Sequence, residues 1–388
     1  MRLGIYIQVP FCQTKCTYCN FHTGVVSSAR FSPYAEAVCA EIRGHGELYR
    51  AAGVKLQGGI EKSEVDTVYI GGGTPSLLEP ESLQSMMDAI RETFATELSE
   101  VTLEADPETI EVGKAAAWAR AGINRVSFGL QSFSDKELVA AGRMHRRADI
   151  YRAVPILRDA GIRSISFDLI AGLPYQTKES WRESLEELGK LEPEHVSVYL
   201  LEVDEGSRLG KELLAGGSRY SAGAVPGDDE MAEFYETACE FLSKAGYHHY
   251  EISNWAKSGF ESKHNLKYWR REAYLGFGAG AHSFSGMERW ANAYDAAAYV
   301  GAIQMARLPV EQREPVTQKS ALEEELFLGL RQLEGIDVGR IEREYGVALG
   351  TRFQGLEAAG LIERDGNVVR LASAKLSVSN EVFVELMR

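Results

Sequence analysis

Cys12, Cys16 and Cys19 follow one another in a C-x3-C-x2-C spacing, in a short loop just after the first expected strand. Three thiolates carried by one loop can hold three irons of a [4Fe–4S] cube, because iron–sulfur clusters are ligated by cysteine sulfur, one ligand to each iron. The fourth iron is then open to a small molecule. S-adenosylmethionine is the cofactor whose reductive cleavage at such an iron feeds radical chemistry. Zinc is the competing reading. His22 comes three positions after Cys19 and would complete a Cys3His set of the kind that closes a tetrahedral structural site. On spacing alone, a zinc-stabilised binding module without redox chemistry, or a chance grouping of thiols, stays open.

The elements that would position this loop are legible as an alternation. Apolar, β-branched runs at 3–8, 65–70, 100–105, 124–130, 163–170 and 195–201 are separated by stretches of helical period. In 81–94, for example, Leu83, Met86, Met87, Ile90 and Phe94 recur on one helical face. Pro107 is expected to open the helix after the third strand, and Gly122 to close it. Six βα units in order predict an α/β protein with a partial parallel (β/α)6-type, TIM-like barrel. Chemistry in such folds sits where strands run into the loops that follow them. There the chain places the glycine-rich turn Gly71-Gly-Gly-Thr-Pro-Ser76, then Glu104, Gln131, Asp168 and Glu202, with Arg143 in the helical segment after Gln131. Any one of these groups could be a structural ion pair or cap. Together they are acid, amide and guanidinium groups around one cavity, and they suit a zwitterionic amino acid joined to a ribose. That ring favours a cluster with S-adenosylmethionine over zinc.

Composition narrows the classes further. The 388 residues are 45% hydrophobic and 25% charged, as in a globular protein with a large core. A net charge of −14 argues against nucleic acid as a partner, and the basic cluster at 143–147 is too short to reverse it. No apolar run approaches the roughly 18 residues of a transmembrane helix. No leader is visible before the cysteine loop. With three of five cysteines in one loop and no disulfide pattern, a reducing cytoplasm is the expected setting. Cys39 and Cys239 read as small buried hydrophobes.

The remainder divides into an irregular region at 228–300, closing a first domain at 1–305, and a C-terminal domain at 306–388. A helix is expected at 228–245, a strand at 247–253 and a mobile loop at 207–227. The glycine-rich tract at 275–282 brings backbone close to a neighbour or a ligand. A polar, proline-containing linker is expected around 305–320. Helices at 319–333, 337–345 and 350–360 and a hairpin turning at Asp365-Gly366 then suggest a small winged-helix-like helical module. Without a basic stripe, that module reads as structural or partner-facing.

The cysteine loop, the Gly-Gly-Gly-Thr-Pro turn at 71–75, Leu-Glu-Ala-Asp-Pro at 103–107, Ser-Phe-Gly-Leu-Gln-Ser-Phe at 127–133 and Asp-Leu-Ile-Ala-Gly-Leu-Pro at 168–174 resemble the radical S-adenosylmethionine superfamily, in its coproporphyrinogen-oxidase-like branch. The resemblance extends over nearly the whole chain. It implies Cys12, Cys16 and Cys19 as cluster ligands and Tyr6, Gly72, Gly73, Thr74, Glu104, Gln131, Arg143 and Asp168 as cofactor contacts. Arg143 is then suited to the carboxylate, Gln131 and Asp168 to the ribose, and the Tyr18 backbone to the adenine. Glu202 matches a weaker contact. The oxidases of this branch carry a further cysteine two residues after the third ligand, where this chain has Phe21, and a longer N-terminal extension.

The loop ending in Phe and the motif His264-Asn265-Leu-Lys-Tyr268-Trp269 are instead similar to the heme chaperone group. The resemblance therefore implies heme, a [4Fe–4S] cluster and S-adenosylmethionine as ligands, an acceptor hemoprotein as partner, respiratory for instance, and an electron donor such as flavodoxin or ferredoxin. His264 is a candidate heme ligand, with loop anchoring as its alternative, and His282 is a weaker one. An oxygen-independent coproporphyrinogen III oxidase, decarboxylating propionate side chains by radical chemistry, is the runner-up.

Overall fold

A computed structural model describes residues 2–54 and 63–386. Six parallel strands run in chain order across the centre of a large sheet: β1 (Arg2–Val9), β2 (Glu64–Gly72), β3 (Thr96–Ala105), β4 (Arg125–Gln131), β5 (Ser164–Ala171) and β6 (His195–Leu200). Each expected strand is present. Helices such as Pro80–Thr93, Val112–Ala121, Arg147–Asp159 and Lys178–Leu191 make the crossovers between them. Gly122 closes the third-strand helix at a φ of 99°, as expected, but Pro107 opens only a short 3-10 turn, and the helix begins at Val112.

Alternation along the strands sorts the side chains into two environments. Leu3, Ile5, Ile7 and Val9 of β1, Val126, Phe128 and Leu130 of β4, and Ile165, Phe167 and Leu169 of β5 are fully buried in the main hydrophobic core. The opposite face carries polar groups. Register sets them side by side: Thr102 pairs with Arg125, Glu104 with Ser127, Ser127 with Ser166, and Ser166 with His195. A strand shifted by one residue would turn its whole polar row into the hydrocarbon core, so the burial of the apolar face fixes the register of the polar one.

The sheet extends beyond the six strands at both edges. After β6 it continues through β7 (His248–Glu251) and β8 (Asn254–Ala256), with β8 between β6 and β7. On the β1 side lie β9 (Tyr274–Phe277), parallel to β1, then β10 (His282–Phe284), β11 (Glu288–Asn292) and β12 (Val310–Pro315). Two expectations change here. The glycine-rich tract contains a seventh parallel strand, and the stretch expected to be a linker contains β12, paired antiparallel with β11 from Glu288↔Pro315 onward. Similarly, 207–227 contains a helix, Arg208–Leu214, and a 3-10 segment, Arg219–Ala224.

The C-terminal portion is helical, as expected: Gln318–Arg331, Val338–Tyr345, Gly350–Ala358 and a final helix, Ser379–Leu386. Its hairpin, β14 (Ile362–Asp365) and β15 (Val368–Leu371), follows the two-residue β13 (Ile336–Asp337), which pairs with β15. Leu326, Leu330 and Ile336 belong to the same buried cluster as the barrel strands. Arg331 adds an ion pair to the fully buried Glu251, 2.7 Å away.

Candidate active site at the strand ends

The loop after β1 is fastened from several sides. The Cys12 N–H donates to Gly24 O (3.0 Å), the Thr17 N–H to Ala141 O (3.0 Å), and the Gly73 and Thr74 N–H groups reach Val9 O (2.8 Å) and Phe11 O (2.7 Å). Phe11 anchors it below by stacking on Phe31 and meeting the edge of Tyr34, both with ring centroids 4.9 Å away. The three thiols, half-buried, are thereby turned towards a cavity of about 560 Å³ at the C-terminal ends of the strands. Burial pushes the Cys12 and Cys19 thiols up from their ordinary range, and iron would reverse that by holding thiolate directly. Among the described residues, no three His, Cys, Asp or Glu side chains are grouped tightly enough to hold one ion. His22 is not part of the cavity lining and lies against Tyr294, ring centroids 4.2 Å apart.

Gly72, Gly73, Thr74, Glu104, Gln131, Arg143 and Asp168 line the same cavity as the cysteines, together with Tyr18 and Glu202. At Gly73 a Cβ would stand 2.4 Å from Phe11 O and 2.9 Å from Cys12 Sγ, so only glycine lets the second loop lie against the first. Glu104 accepts from Tyr69 OH and from the Gly72 N–H, each at 2.8 Å, and its burial raises the carboxyl to about 7. Asp168 accepts from Ser127 Oγ at 3.0 Å and is likewise raised by burial. Gln131 sits at φ 66°, where the β4–β5 register shifts. Holding a non-glycine residue there costs about 1–3 kcal/mol, the kind of strain kept where a side chain must be aimed.

Arg143 reaches Cys16 Sγ (3.4 Å) and Gly129 O (2.8 Å) and pairs closely with Asp106. Asp106 also accepts from Thr74 Oγ1 at 3.2 Å. It is a site residue that the sequence reading left out, although its place two residues after Glu104 put it on the same strand face. Tyr69, Ser127, His195, Ser197 and Tyr199 also line the cavity, and the same period-2 count along β2, β4 and β6 would have found them. Arg331, Leu376, Ser377, Ser379 and Asn380 bring the C-terminal portion into the wall.

Tyr6, His264 and the weaker candidate His282 do not line the cavity. Tyr6 points from β1 towards Tyr69, ring centroids 6.0 Å apart, and donates to Gln8 Oε1 at 2.5 Å. His264 is 1% exposed, with Nδ1 against Thr67 Oγ1 (3.0 Å) and Nε2 against Tyr268 OH (2.8 Å). Burial, aided by Lys267, lowers it to about 3. Its helix is tied to Glu100 in the first half of β3, whose carboxylate accepts from the Lys263 N–H at 2.8 Å and the His264 N–H at 3.1 Å. Both ring nitrogens of His264 are thus engaged within the protein.

The donor set fits a cluster with an amino-acid cofactor: three thiols line a polar cavity that also holds the carboxyls of Glu104, Asp106 and Asp168, an amide and a guanidinium. Comparison with known proteins agrees. Residues 6–188 match the family model of the radical SAM superfamily, and residues 316–374 match the HemN C-terminal domain. Coproporphyrinogen III oxidase (HemN) from Escherichia coli shares the fold with a TM-score of 0.84 at 20% identity, over 99% of this chain and 89% of that one. The protein called heme chaperone HemW in Bacillus subtilis is 35% identical, with 97% of each chain covered. Its namesake in Lactococcus lactis is 32% identical over 98% of this chain and 96% of that one. With such likeness from end to end, the chain belongs to the HemW family of the radical S-adenosylmethionine superfamily, whose cofactors are a [4Fe–4S] cluster and S-adenosylmethionine.

Proposed function

We propose that this protein is a heme chaperone that binds heme beside a [4Fe–4S] cluster and S-adenosylmethionine and passes the heme to an acceptor hemoprotein in the cytoplasm. A small electron-transfer protein of the flavodoxin or ferredoxin kind would supply reducing electrons. The observation that carries this reading is a three-cysteine loop followed by Phe21, in a chain that matches proteins named heme chaperones over nearly its whole length. Phe21 is 66% exposed at the cavity mouth.

In this reading Cys12, Cys16 and Cys19 hold the cluster. Gly72 to Thr74 offer close-packed main chain to the methionine part of the cofactor, with Glu104 beside them as counter-charge for its ammonium group. Arg143, steadied by Asp106, meets the carboxylate, and Gln131 and Asp168 meet ribose hydroxyls. Reductive cleavage of S-adenosylmethionine is the chemistry that the bound cluster supplies.

The fold shared with HemN is common to a chaperone and an oxidase and does not choose between them. Anaerobic incubation with coproporphyrinogen III, S-adenosylmethionine and a reductant makes the choice. The expected outcome is no decarboxylation, and turnover would overturn the chaperone reading.

A further inference from the structure

The chain has eight histidines, and the fold commits most of them to packing. His145, His195 and His264 are buried with their ring nitrogens against protein groups. His249 is stacked on Trp255 with ring centroids 4.0 Å apart, and His45 lies against Phe94 at 4.7 Å. His248 is on β7, the edge strand remote from β9–β12. His22 and His282 are different. Both are exposed, and they share one neighbour. The His22 ring lies against Tyr294, while His282 Nε2 faces Tyr294 OH at 3.4 Å.

The glycine-rich tract builds this arrangement. A Cβ at Gly276 would stand 2.1 Å from His282 O, so glycine lets β9 turn back closely into β10. Gly280, at φ 73°, would place a Cβ 2.9 Å from Tyr294 Cδ1, so its absence lets the tyrosine ring rest on the backbone. The Gly280 N–H also donates to Ala293 O at 2.9 Å. The tract thus seats Tyr294 beside both imidazoles, one of them on the cluster loop next to the exposed Phe21.

We propose that heme is received here, on the outer rim of the cluster loop, with His22 and His282 as its axial ligands and Phe21 and Tyr294 against the porphyrin. This inference rests on the heme-chaperone reading and assigns that reading a site. A bare transition ion bound by protein alone calls for about four donors, and no such group exists among the described residues. Heme brings four nitrogens of its own and asks the protein for one or two axial ligands. Two exposed imidazoles beside exposed aromatic surface meet that demand. Partial shielding, Arg289 and His22 lower the pKa of His282, which keeps its imidazole neutral, the form that binds iron.

The test is an anaerobic hemin titration of the full, tag-free chain carrying its cluster, read by Soret absorbance and electron paramagnetic resonance. Wild type, the double variant His22→Ala/His282→Ala and the single variant His264→Ala are compared. Wild type and His264→Ala are expected to bind with the same affinity and a histidine-ligated spectrum. The double variant is expected to lose at least tenfold in affinity together with that spectrum, and added imidazole to restore the spectrum. Wild-type affinity and spectrum in the double variant would overturn the site while leaving the chaperone reading intact. Absence of saturable binding in wild type would overturn both. Because both side chains are exposed, misfolding is not expected, and His22→Gln/His282→Gln repeats the comparison with polar side chains of similar length.

Discussion

Glu104 offers a direct test of the electrostatics of the site. The carboxyl is buried and raised from 4.5 to about 7, burial outweighing the hydrogen bonds from Tyr69 and Gly72. At 1.36 kcal/mol per pKa unit, that shift corresponds to at most about 3 kcal/mol. The sign follows from proton counts. Between pH 4.5 and 7 the folded protein keeps a proton that the unfolded chain has released, so stability falls as pH rises through that window. Glu104→Gln cannot ionise and removes this contribution. Urea titrations of cofactor-free wild type and Glu104→Gln at pH 5, 6, 7 and 8 should therefore diverge. The variant should gain on wild type by up to about 3 kcal/mol between pH 5 and 8, with most of the change below pH 7. Other buried acids such as Glu41, also raised to about 7, act equally in both proteins and cancel. Parallel stability profiles would refute the assignment of a buried, proton-holding carboxyl. A ligand ammonium placed beside Glu104 favours its ionised form, so S-adenosylmethionine affinity should rise from pH 5 to 7 in wild type and show a flat, weaker profile in the variant.

Cys16→Ser should abolish cluster assembly, seen as loss of iron and sulfide from the purified protein, while the barrel keeps its circular-dichroism spectrum. Gly73→Ala drives a Cβ against Phe11 O and Cys12 Sγ, so it should lower the iron-to-protein ratio after reconstitution with the barrel still folded. Arg143→Ala strands Asp106 in a site where the two side chains are only 11% and 21% exposed. Denaturation should show a loss of about 3–5 kcal/mol, the cost of breaking a buried pair from one side. Thr67 and Tyr268 each lose a buried partner in His264→Ala, which should lower the free energy of unfolding in urea by about 1–3 kcal/mol per orphaned group.

What the chain reveals before folding depends on how local the physics is. The six parallel strands are legible because each is a short apolar run whose alternate positions must enter one core, and the ends of those runs identify Glu104, Gln131 and Asp168 without further information. β9 is hidden because Leu275-Gly-Phe-Gly carries too little side chain to look like a strand, and its place is set by pairing with β1, far away in sequence. The segment containing β12 reads as a linker because an edge strand needs only one partner, and β11 supplies it. Asp106 escaped notice because its partner Arg143 is 37 residues distant, although the strand period had placed it beside Glu104. His264 shows the limit of a motif. Its neighbours in sequence advertise a special residue, but its surroundings depend on Thr67 of β2, which the fold places against its ring.

Heme handling shows itself in a transfer rate. The heme-loaded protein, carrying its cluster, is mixed anaerobically with an apo b-type cytochrome, and the appearance of the holocytochrome spectrum is timed against heme delivered from albumin. Stoichiometric loading is expected, with faster delivery from this protein than from albumin. No saturable loading, or delivery no faster than from albumin, would rule out a heme chaperone.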